Sequence, residues 1–486
     1  MISLERCNEK INLNNVVFLY IIIQPILDIL TSLHENEGIF MFSFGVVFRS
    51  LFIAVAVCIS LYEILKGKKY LYLTWIVSVF IYNICYLIHM FLRYDLSIFL
   101  VNLSEMVKNY YFVFLLIFFV VIYNKLNIPS IRTAIFIVAN IYTLSILIAI
   151  ITNTSYPAYR IENTGNVGWF YAANELAGIF AVLVPIVLCY MLNSTKNKIL
   201  MYILCICAVV CSNILGIRTP YIAMKVYLIL LFVWNIIVLV IDKRNKLCYN
   251  KKTCLKSLLQ IVVLLIVSES IYNISYTKNN MDSMVDNVIK IEFEQKDSIE
   301  ETTGYISDTT VTEENNVIGK ASQTDEENNS EVLIPKEIET VENKKGVLWE
   351  KINQILHNRL TYIEPRLSES GNVSFGDKLL GSGYVYDVDG QMQTKKIEMD
   401  FIDSFFSHGY LGFVVNYAPV IYMLLFCIYN FVRTFKENIR NLELCTYLYT
   451  MLLVILVSMT AGHVLVSPAV SIYVVLAYIL QKPFYN

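Results

Sequence analysis

The sequence predicts an all-α integral membrane protein with about twelve transmembrane helices and a large extracytoplasmic loop between helices nine and ten. Hydrophobic residues make up 56% of its 486 residues and charged residues only 16%, with a mean hydropathy of +0.56. Soluble domains carry about 25% charged residues. Apolar runs also recur at the roughly 20-residue length that crosses a bilayer. These runs are continuous rather than alternating, which favours helices over a β-barrel.

The first predicted span contains Gln24, Pro25 and Asp28 and is followed by His-Glu-Asn-Glu instead of a small-residue cleavage site. We therefore expect a permanent helix rather than a signal peptide. The last two spans are short and crowded. The predicted spans cover residues 16–33, 43–65, 70–92, 105–124, 131–152, 169–192, 198–215, 220–241, 255–274, 404–432, 444–462 and 465–481.

Lysine and arginine predict the orientation. With a cytoplasmic N-terminus, the inside loops hold most of the basic residues, as the positive-inside rule requires. The short outside loops hold only Arg93, Lys108, Arg160 and Arg218. An even number of spans, with both termini cytoplasmic, follows from this asymmetry.

Four regions follow from these spans. Residues 1–274 are predicted to form helices one to nine, and residues 404–486 helices ten to twelve. Residues 275–345 are acidic and nearly free of aromatic residues, so we expect disorder. Residues 346–403 contain apolar residues near helical spacing and several glycines, which predicts an ordered extracytoplasmic loop.

Composition and motifs exclude several classes of function. The net charge of -2 leaves no basic face for nucleic acid. The chain has no P-loop, no GxGxxG, no HExxH and no Cys/His metal spacing, so neither a cofactor nor a metal is predicted. The eleven cysteines avoid the large loop, which favours free thiols over a disulfide framework.

Ionisable side chains at membrane spans are costly and are hypotheses of function by default. Between spans seven and eight, Gly216-Ile217-Arg218-Thr219-Pro220 places Arg218 at the predicted outer rim, and Lys225 follows less than two turns into the next helix. A guanidinium beside an ammonium suits a phosphate or diphosphate. The alternative is that both side chains extend to lipid headgroups.

A second polar stretch lies around span six. Arg160 precedes Gly165-Asn166-Val167-Gly168-Trp169-Phe170, and Asn174-Glu175 is predicted one turn inside the helix. The pair is a candidate for substrate binding. The alternative is hydrogen bonding to a neighbouring helix.

A third group lies where the large loop enters span ten. Asp400 and Asp403 share a helix face, and Glu398 precedes them. These carboxylates suit a general base or counter-ions, or alternatively partners of the helix dipole. Arg359 and Arg366 in the loop are further candidates, or ordinary surface arginines.

Other polar residues are weaker candidates. Arg49 in span two, with Gln24 and Asp28 in span one, is a weaker companion of these groups. His408 and His463 are single histidines near apolar helices, for which a hydrogen-bonded structural role is the expectation.

These motifs resemble the O-antigen ligase and O-antigen polymerase-like family of bacterial membrane proteins over most of the chain. The resemblance rests on Gly165–Glu175, on Gly216–Thr219, and on a late signature. That signature comprises Arg359, Leu379-Leu380-Gly381-Ser382-Gly383, Glu398–Asp403 and Gly409–Gly412.

The resemblance implies transfer of a glycan from undecaprenyl diphosphate to a glycan or lipid acceptor outside the bacterial cytoplasmic membrane, with no obligatory metal. Arg218 and Arg359 match the family's diphosphate-binding arginines, and Arg160 matches less closely. Ligases of the family place a His-Asn pair where this chain has Glu398-Met399-Asp400. This departure favours a polymerase-type member, with Glu398 or Asp400 as the base.

The leading hypothesis is therefore a membrane glycosyltransferase for cell-surface polysaccharide. Arg218, Arg359, Glu398 and Asp400 are its candidate catalytic residues. The residues expected to bind substrate are Arg160, Asn174, Glu175, Lys225 and Asp403. A transporter or flippase of lipid-linked oligosaccharide is the alternative, but it would concentrate polar residues near the bilayer midplane. An envelope sensor leaves Arg218 and the Asn174-Glu175 pair without a role.

Overall fold

A computed structural model describes residues 13–38, 43–193, 197–245, 251–287, 349–354, 356, 359–363, 374–388, 391–394, 397–460 and 462–484. Ten of the described helices are long and apolar enough to cross a membrane, and two shorter apolar ones, Lys198–Ile214 and Pro468–Phe484, occupy the seventh and twelfth predicted positions. The all-α membrane fold is thus confirmed, and the count of twelve spans stays a prediction.

The helices follow the predicted order. The first nine are α1 (Leu13–Glu37), α2 (Phe44–Lys66), α3 (Tyr70–Arg93), α4 (Leu96–Ile122), α5 (Ile128–Ile151), α6 (Ala173–Asn193), α7 (Lys198–Ile214), α8 (Arg218–Asn245) and α9 (Lys251–Tyr272). The later ones are α10 (Phe375–Leu380), α11 (Asp400–Arg433), α12 (Phe435–Asn438), α13 (Leu442–Thr460) and α14 (Pro468–Gln481). Single 3-10 turns cover Tyr123–Lys125, Arg359–Tyr362 and Lys482–Phe484.

Helix α4 begins nine residues before its predicted start. Asp95 caps it, because its Oδ1 accepts the backbone N–H of Ile98 at 3.0 Å. Lys108 was therefore wrongly placed in an outside loop. It lies within α4, where its Nζ contacts Glu105 one turn earlier at 2.9 Å.

The large loop contains more regular structure than its composition predicts. Residues 276–287, inside the segment expected to be disordered, are helical. The buried Thr277 holds this helix to α7, since its hydroxyl donates to the carbonyl oxygen of Asn213 at 2.6 Å. The rest of that segment, residues 288–345, lies outside the described residues. A short antiparallel hairpin, β1 (Val385–Val388) and β2 (Gln391–Thr394), was also not predicted.

The chain divides into two compact units. The first comprises Met1–Asn280 and Pro365–Asn486, and the second Met281–Glu364. The centre of the first unit is α14, in which every residue from Ala469 to Gln481 is buried. It contacts α4, α5, α6 and α13. Helices α2, α3, α8 and α9 instead expose large apolar side chains, the surface expected to face lipid.

Candidate functional site

Two glycine turns cross at the predicted outer end of the bundle. Gly165 lies in the loop between α5 and α6, and Gly216 in the turn between α7 and α8. Both have positive φ, and a Cβ on Gly216 would lie 2.8 Å from the Cα of Gly165. The N–H of Asn166 donates to the carbonyl oxygen of Leu215 at 3.2 Å. Glycine at both positions therefore allows the two backbones to cross and places Arg218 beside the α5–α6 loop.

Arg218 is half-buried at the first residue of α8. Its Nε donates to Asn280 Oδ1 at 3.0 Å, and Asn280 Nδ2 donates to the hydroxyl of Tyr159 at 2.7 Å. Burial raises the pKa of Tyr159, which the Asn280 hydrogen bond and the Arg218 charge only partly offset. The site thus combines a guanidinium with a phenol that stays protonated, and both can donate hydrogen bonds to an anion.

Lys225 does not extend freely toward this group. Its Nζ lies 2.8 Å from Glu269 Oε2 and 2.6 Å from the hydroxyl of Tyr221. It also lies 5.0 and 5.4 Å from the ring centroids of Tyr221 and Tyr272. A lysine neutralised by a carboxylate contributes little net charge toward a diphosphate.

Arg160 is exposed and belongs to a different set of contacts. Its Nη2 donates to Asn36 Oδ1 at 2.8 Å, and its guanidinium lies 4.1 Å from the ring centroid of Tyr171. The neighbouring Tyr156 hydroxyl donates to Glu37 Oε1 at 2.8 Å. These bonds join the α5–α6 loop to the end of α1.

Helix α11 is broken at Gly409, whose φ of 63° and ψ of -171° are not helical. The loop of Gly381-Ser382-Gly383 packs against the break. The N–H groups of Ser382 and Gly383 donate to the carbonyl oxygens of Phe406 and Ser407 at 3.2 and 3.0 Å. A Cβ on Gly381 would lie 2.2 Å from the Ser407 oxygen. This part of the late sequence signature is therefore structural, because the loop donates to carbonyl groups that the broken helix leaves unpaired. We call the loop of Gly381-Ser382-Gly383 and the break at Gly409 together the lock.

The lock continues through His408, which is fully buried. Its Nε2 lies 2.9 Å from the hydroxyl of Tyr384 and 2.6 Å from Asn109 Nδ2. The hydroxyl of Tyr82 donates to its carbonyl oxygen at 2.8 Å. Burial, followed by the charge of Asp403, raises the pKa of Tyr384 well above its usual value. His408 thus belongs to a buried hydrogen-bond network, and its structural role stays a prediction.

Asp400 is 2% exposed and binds the loop before α14. Its Oδ1 accepts the N–H of His463 at 2.6 Å, and its Oδ2 accepts those of Val464 and Leu465 at 3.0 and 2.9 Å. Both oxygens are thereby committed to backbone groups 63 to 65 residues away. Asp400 therefore positions this loop, and its role as the base stays a prediction.

Of the other predicted carboxylate residues, Glu398 and Glu175 contact the same loop. Asp403 is buried and its Oδ1 accepts the N–H of Ile397 at 3.0 Å. Glu398 is half-buried, and its backbone is so close to Gly462 that a Cβ there would lie 2.5 Å from its carbonyl carbon. Glu175 Oε1 accepts the hydroxyl of Ser467 at 2.8 Å. The loop of residues 462–467 thus binds Asp400 of α11 and Glu175 of α6.

Asn174 and Glu175 lie in the first turn of α6, since this helix begins at Ala173 and not four residues earlier as predicted. Asn174 is exposed. The carboxylate of Glu175 lies at the positive end of its own helix dipole. Glu175 thus hydrogen-bonds a neighbouring loop. The alternative to substrate binding considered for Asn174 and Glu175 was a hydrogen bond to a neighbouring helix, which is similar.

Arg359 lies in the second unit, at the start of the 3-10 turn Arg359–Tyr362. Its backbone N–H donates to the carbonyl oxygen of Leu356 at 3.3 Å. The side chain is half-buried. Its proposed contact with diphosphate stays a prediction, and Arg366 lies outside the described residues.

The main group that sequence reasoning underestimated is an ion pair between α1 and α2. Asp28 Oδ1 lies 2.5 Å from Arg49 Nη2, and Arg49 Nε donates to Gln24 Oε1 at 2.9 Å. The hydroxyl of Tyr142 donates to Asp28 Oδ2 at 2.5 Å and lies 3.3 Å from that of Tyr473. Three residues treated as weak separate candidates thus form one network across α1, α2, α5 and α14.

Within the described residues, no three His, Cys, Asp or Glu side chains lie close enough to hold a metal ion. Comparison with known proteins gives one family. The family described as "O-antigen ligase like membrane protein" matches residues 10–481 of the chain. No curated protein and no solved structure matches the chain.

Proposed function

The chain belongs to the O-antigen ligase-like family of membrane proteins, and on that premise we propose that it transfers or polymerises a glycan linked to undecaprenyl diphosphate at the outer face of the bacterial cytoplasmic membrane. The family itself establishes a role in assembling cell-surface glycans at the membrane. The donor, the outer-face location, the cytoplasmic termini and the metal-independent mechanism are parts of the proposal.

The observation that supports it most is the placement of Arg218. The crossing of the two glycine turns holds this arginine at the end of the bundle. Its Nε donates a hydrogen bond to Asn280, which in turn donates one to the hydroxyl of Tyr159. A tethered guanidinium loses little further freedom when it binds a diphosphate. Arg218 is therefore the proposed main contact to the leaving group. Arg359 is a proposed second contact, while Arg160 and Lys225 have a smaller part because other residues already engage them.

Glu398 is the proposed base. It precedes the short half of α11, and both carboxylate oxygens of its neighbour Asp400 are already used. In the proposed step, an acceptor hydroxyl attacks the anomeric carbon of the donor sugar and its proton passes to Glu398. The bond between that carbon and the diphosphate oxygen breaks, and the electron pair leaves with the diphosphate. Arg218 stabilises the charge that develops there.

The test uses the purified full-length chain and a preformed lipid-linked oligosaccharide. Arg218→Ala should lower glycan transfer about 100-fold or more, the usual effect of removing one charge-stabilising donor. Arg433→Ala is the matched control, because this arginine is exposed and lies at the end of α11 that is far from Glu398 and Asp400. Normal product from the Arg218 variant would refute the mechanism. An unaltered oligosaccharide with the unsubstituted protein would instead favour a flippase, since only an enzyme lengthens or transfers the glycan.

A further inference from the structure

A small cavity lies beside the break in α11. Ser404, from the half of α11 before the break, and Asn416, from the half after it, both line this cavity. Helix α4 contributes Asn109 and Phe112 to its wall, and the loop before α14 contributes Leu465. We name it the α11 cavity. It lies where the two halves of the broken helix meet two other elements of the bundle.

The α11 cavity has the size of a single water molecule. It offers about 10 Å³ of space to the centre of a water. A cavity needs roughly 10–15 Å³ of such space to hold one water. A sugar ring or a phosphate group is much larger, so the size of the cavity restricts its ligand to water.

Asn416 supplies the polar group that such a water would bind. The residue is 7% exposed, and its Oδ1 has no hydrogen-bond partner among the described residues. Its Nδ2 donates to Ser404 Oγ at 3.4 Å. An unpaired buried amide oxygen is costly, and native proteins pair such groups with protein atoms or ordered water. Water suits either orientation of this amide, because it donates to an oxygen and accepts from an NH2 group.

A second cavity of the same size provides a comparison. It also offers about 10 Å³ to the centre of a water, and it is lined by residues of α5, α6 and α7, among them Phe180. None of its lining residues has a buried side-chain nitrogen or oxygen left unpaired within the described part of the chain. The two cavities therefore provide equal space, and the unpaired oxygen belongs only to the α11 cavity.

We propose that the α11 cavity binds one ordered water molecule, which donates a hydrogen bond to Asn416 Oδ1. Ser404 and Asn109 line the same small space, so the water also adjoins a polar residue of the other half of α11 and one of α4. An ordered buried water makes about three hydrogen bonds. Because the backbone at Gly409 is not helical, the water joins the two halves of α11 across the break. This site goes beyond the proposed function and does not depend on it.

Radiolytic footprinting of the full chain in lipid nanodiscs tests the site, because hydroxyl radicals formed from a bound water oxidise the side chains beside it. Phe112 lines the α11 cavity and is buried. Phe119 is equally buried on the same helix and lines neither cavity, whereas the buried Phe180 lines the second cavity. We expect mass spectrometry to show that Phe112 is oxidised severalfold faster than either control.

Asn416→Leu is the matched variant, since leucine removes the amide and fills the space. It should lower the oxidation of Phe112 about 10-fold, the effect on water occupancy of losing one buried hydrogen bond of ordinary strength. The rates of Phe119 and Phe180 should not change.

Three results would overturn the proposal. The first is equal oxidation of Phe112 and Phe119 in the unsubstituted protein, a comparison that needs no variant to fold. The second is oxidation of Phe180 as fast as that of Phe112, since space alone would then admit water. The third is an undiminished rate at Phe112 in folded Asn416→Leu protein. Glycan transfer is not measured, so the outcome is independent of the test of Arg218.

Discussion

Replacing Asp400 by Asn separates a positioning role from a catalytic one. Asparagine has nearly the same shape, but its NH2 group cannot accept a hydrogen bond. The amide can adopt two orientations, and the better one preserves more hydrogen bonds. In it the amide oxygen takes the place of Oδ2 and still accepts the N–H groups of Val464 and Leu465, while the NH2 group faces the N–H of His463. The substitution therefore leaves the half-buried N–H of His463 without a partner and weakens two further bonds by removing the charge.

The magnitude follows from these three bonds. A buried donor left unpaired costs about 1–3 kcal/mol, and hydrogen bonds to a charged acceptor exceed neutral ones by about 1 kcal/mol. With the lower value for the half-buried N–H of His463 and about 1 kcal/mol for each of the other two bonds, the total loss is about 3 kcal/mol. At about 2.1 cal/mol/K of unfolding entropy per residue, that corresponds to a fall of about 3 °C in the thermal midpoint.

The assay compares thermal midpoint and glycan transfer in the same detergent preparations. Asp400→Asn should lower both, whereas Glu398→Gln should lower transfer and leave the midpoint unchanged. Asp403→Asn is a matched control, since Asp403 lies on the same helix as Asp400 and accepts one backbone N–H, that of Ile397. This variant should lose about 1 kcal/mol of stability. If Asp400→Asn abolished transfer at an unchanged midpoint, the loop-positioning role would be wrong and Asp400 would return as the base.

Two further predictions concern the lock and the lysine. Gly381→Ala should prevent stable folding, because its Cβ would lie 2.2 Å from the Ser407 oxygen and its φ of 93° disfavours a side chain. Gly376→Ala is the control and should fold, because the nearest atom to its Cβ would be a His89 ring carbon at 3.4 Å. The yield of monodisperse protein distinguishes the two outcomes. Lys225→Met with Glu269→Gln should retain transfer within about threefold of the unsubstituted protein, because exposed pairs contribute only about 0–1 kcal/mol; a large loss of donor affinity would place Lys225 at the diphosphate after all.

The helices were predictable because every backbone group in a bilayer needs a partner within its own segment, so hydropathy alone indicates the spans. Their ends depend on single side chains such as Asp95, which a hydropathy window does not detect. The break in α11 was not predicted either, because a single glycine such as Gly409 inside a helical pattern is often tolerated and does not by itself end the helix.

The candidate site was predicted residue by residue but not as contacts. The carboxylate of Asp400 is bonded to a loop more than sixty residues further along the chain, and only the folded bundle brings them together. Likewise, Asp28 and Arg49 each suggested an isolated polar residue. Their pairing depends on the rotation of α1 against α2, which periodicity does not specify.

The burial of α14 has a consequence for biogenesis. Helices α4, α5 and α6 are synthesised long before Pro468–Gln481, yet they pack around that segment in the completed bundle. Nascent chains must therefore either hold a gap lined with lipid or remain loosely associated until this segment arrives.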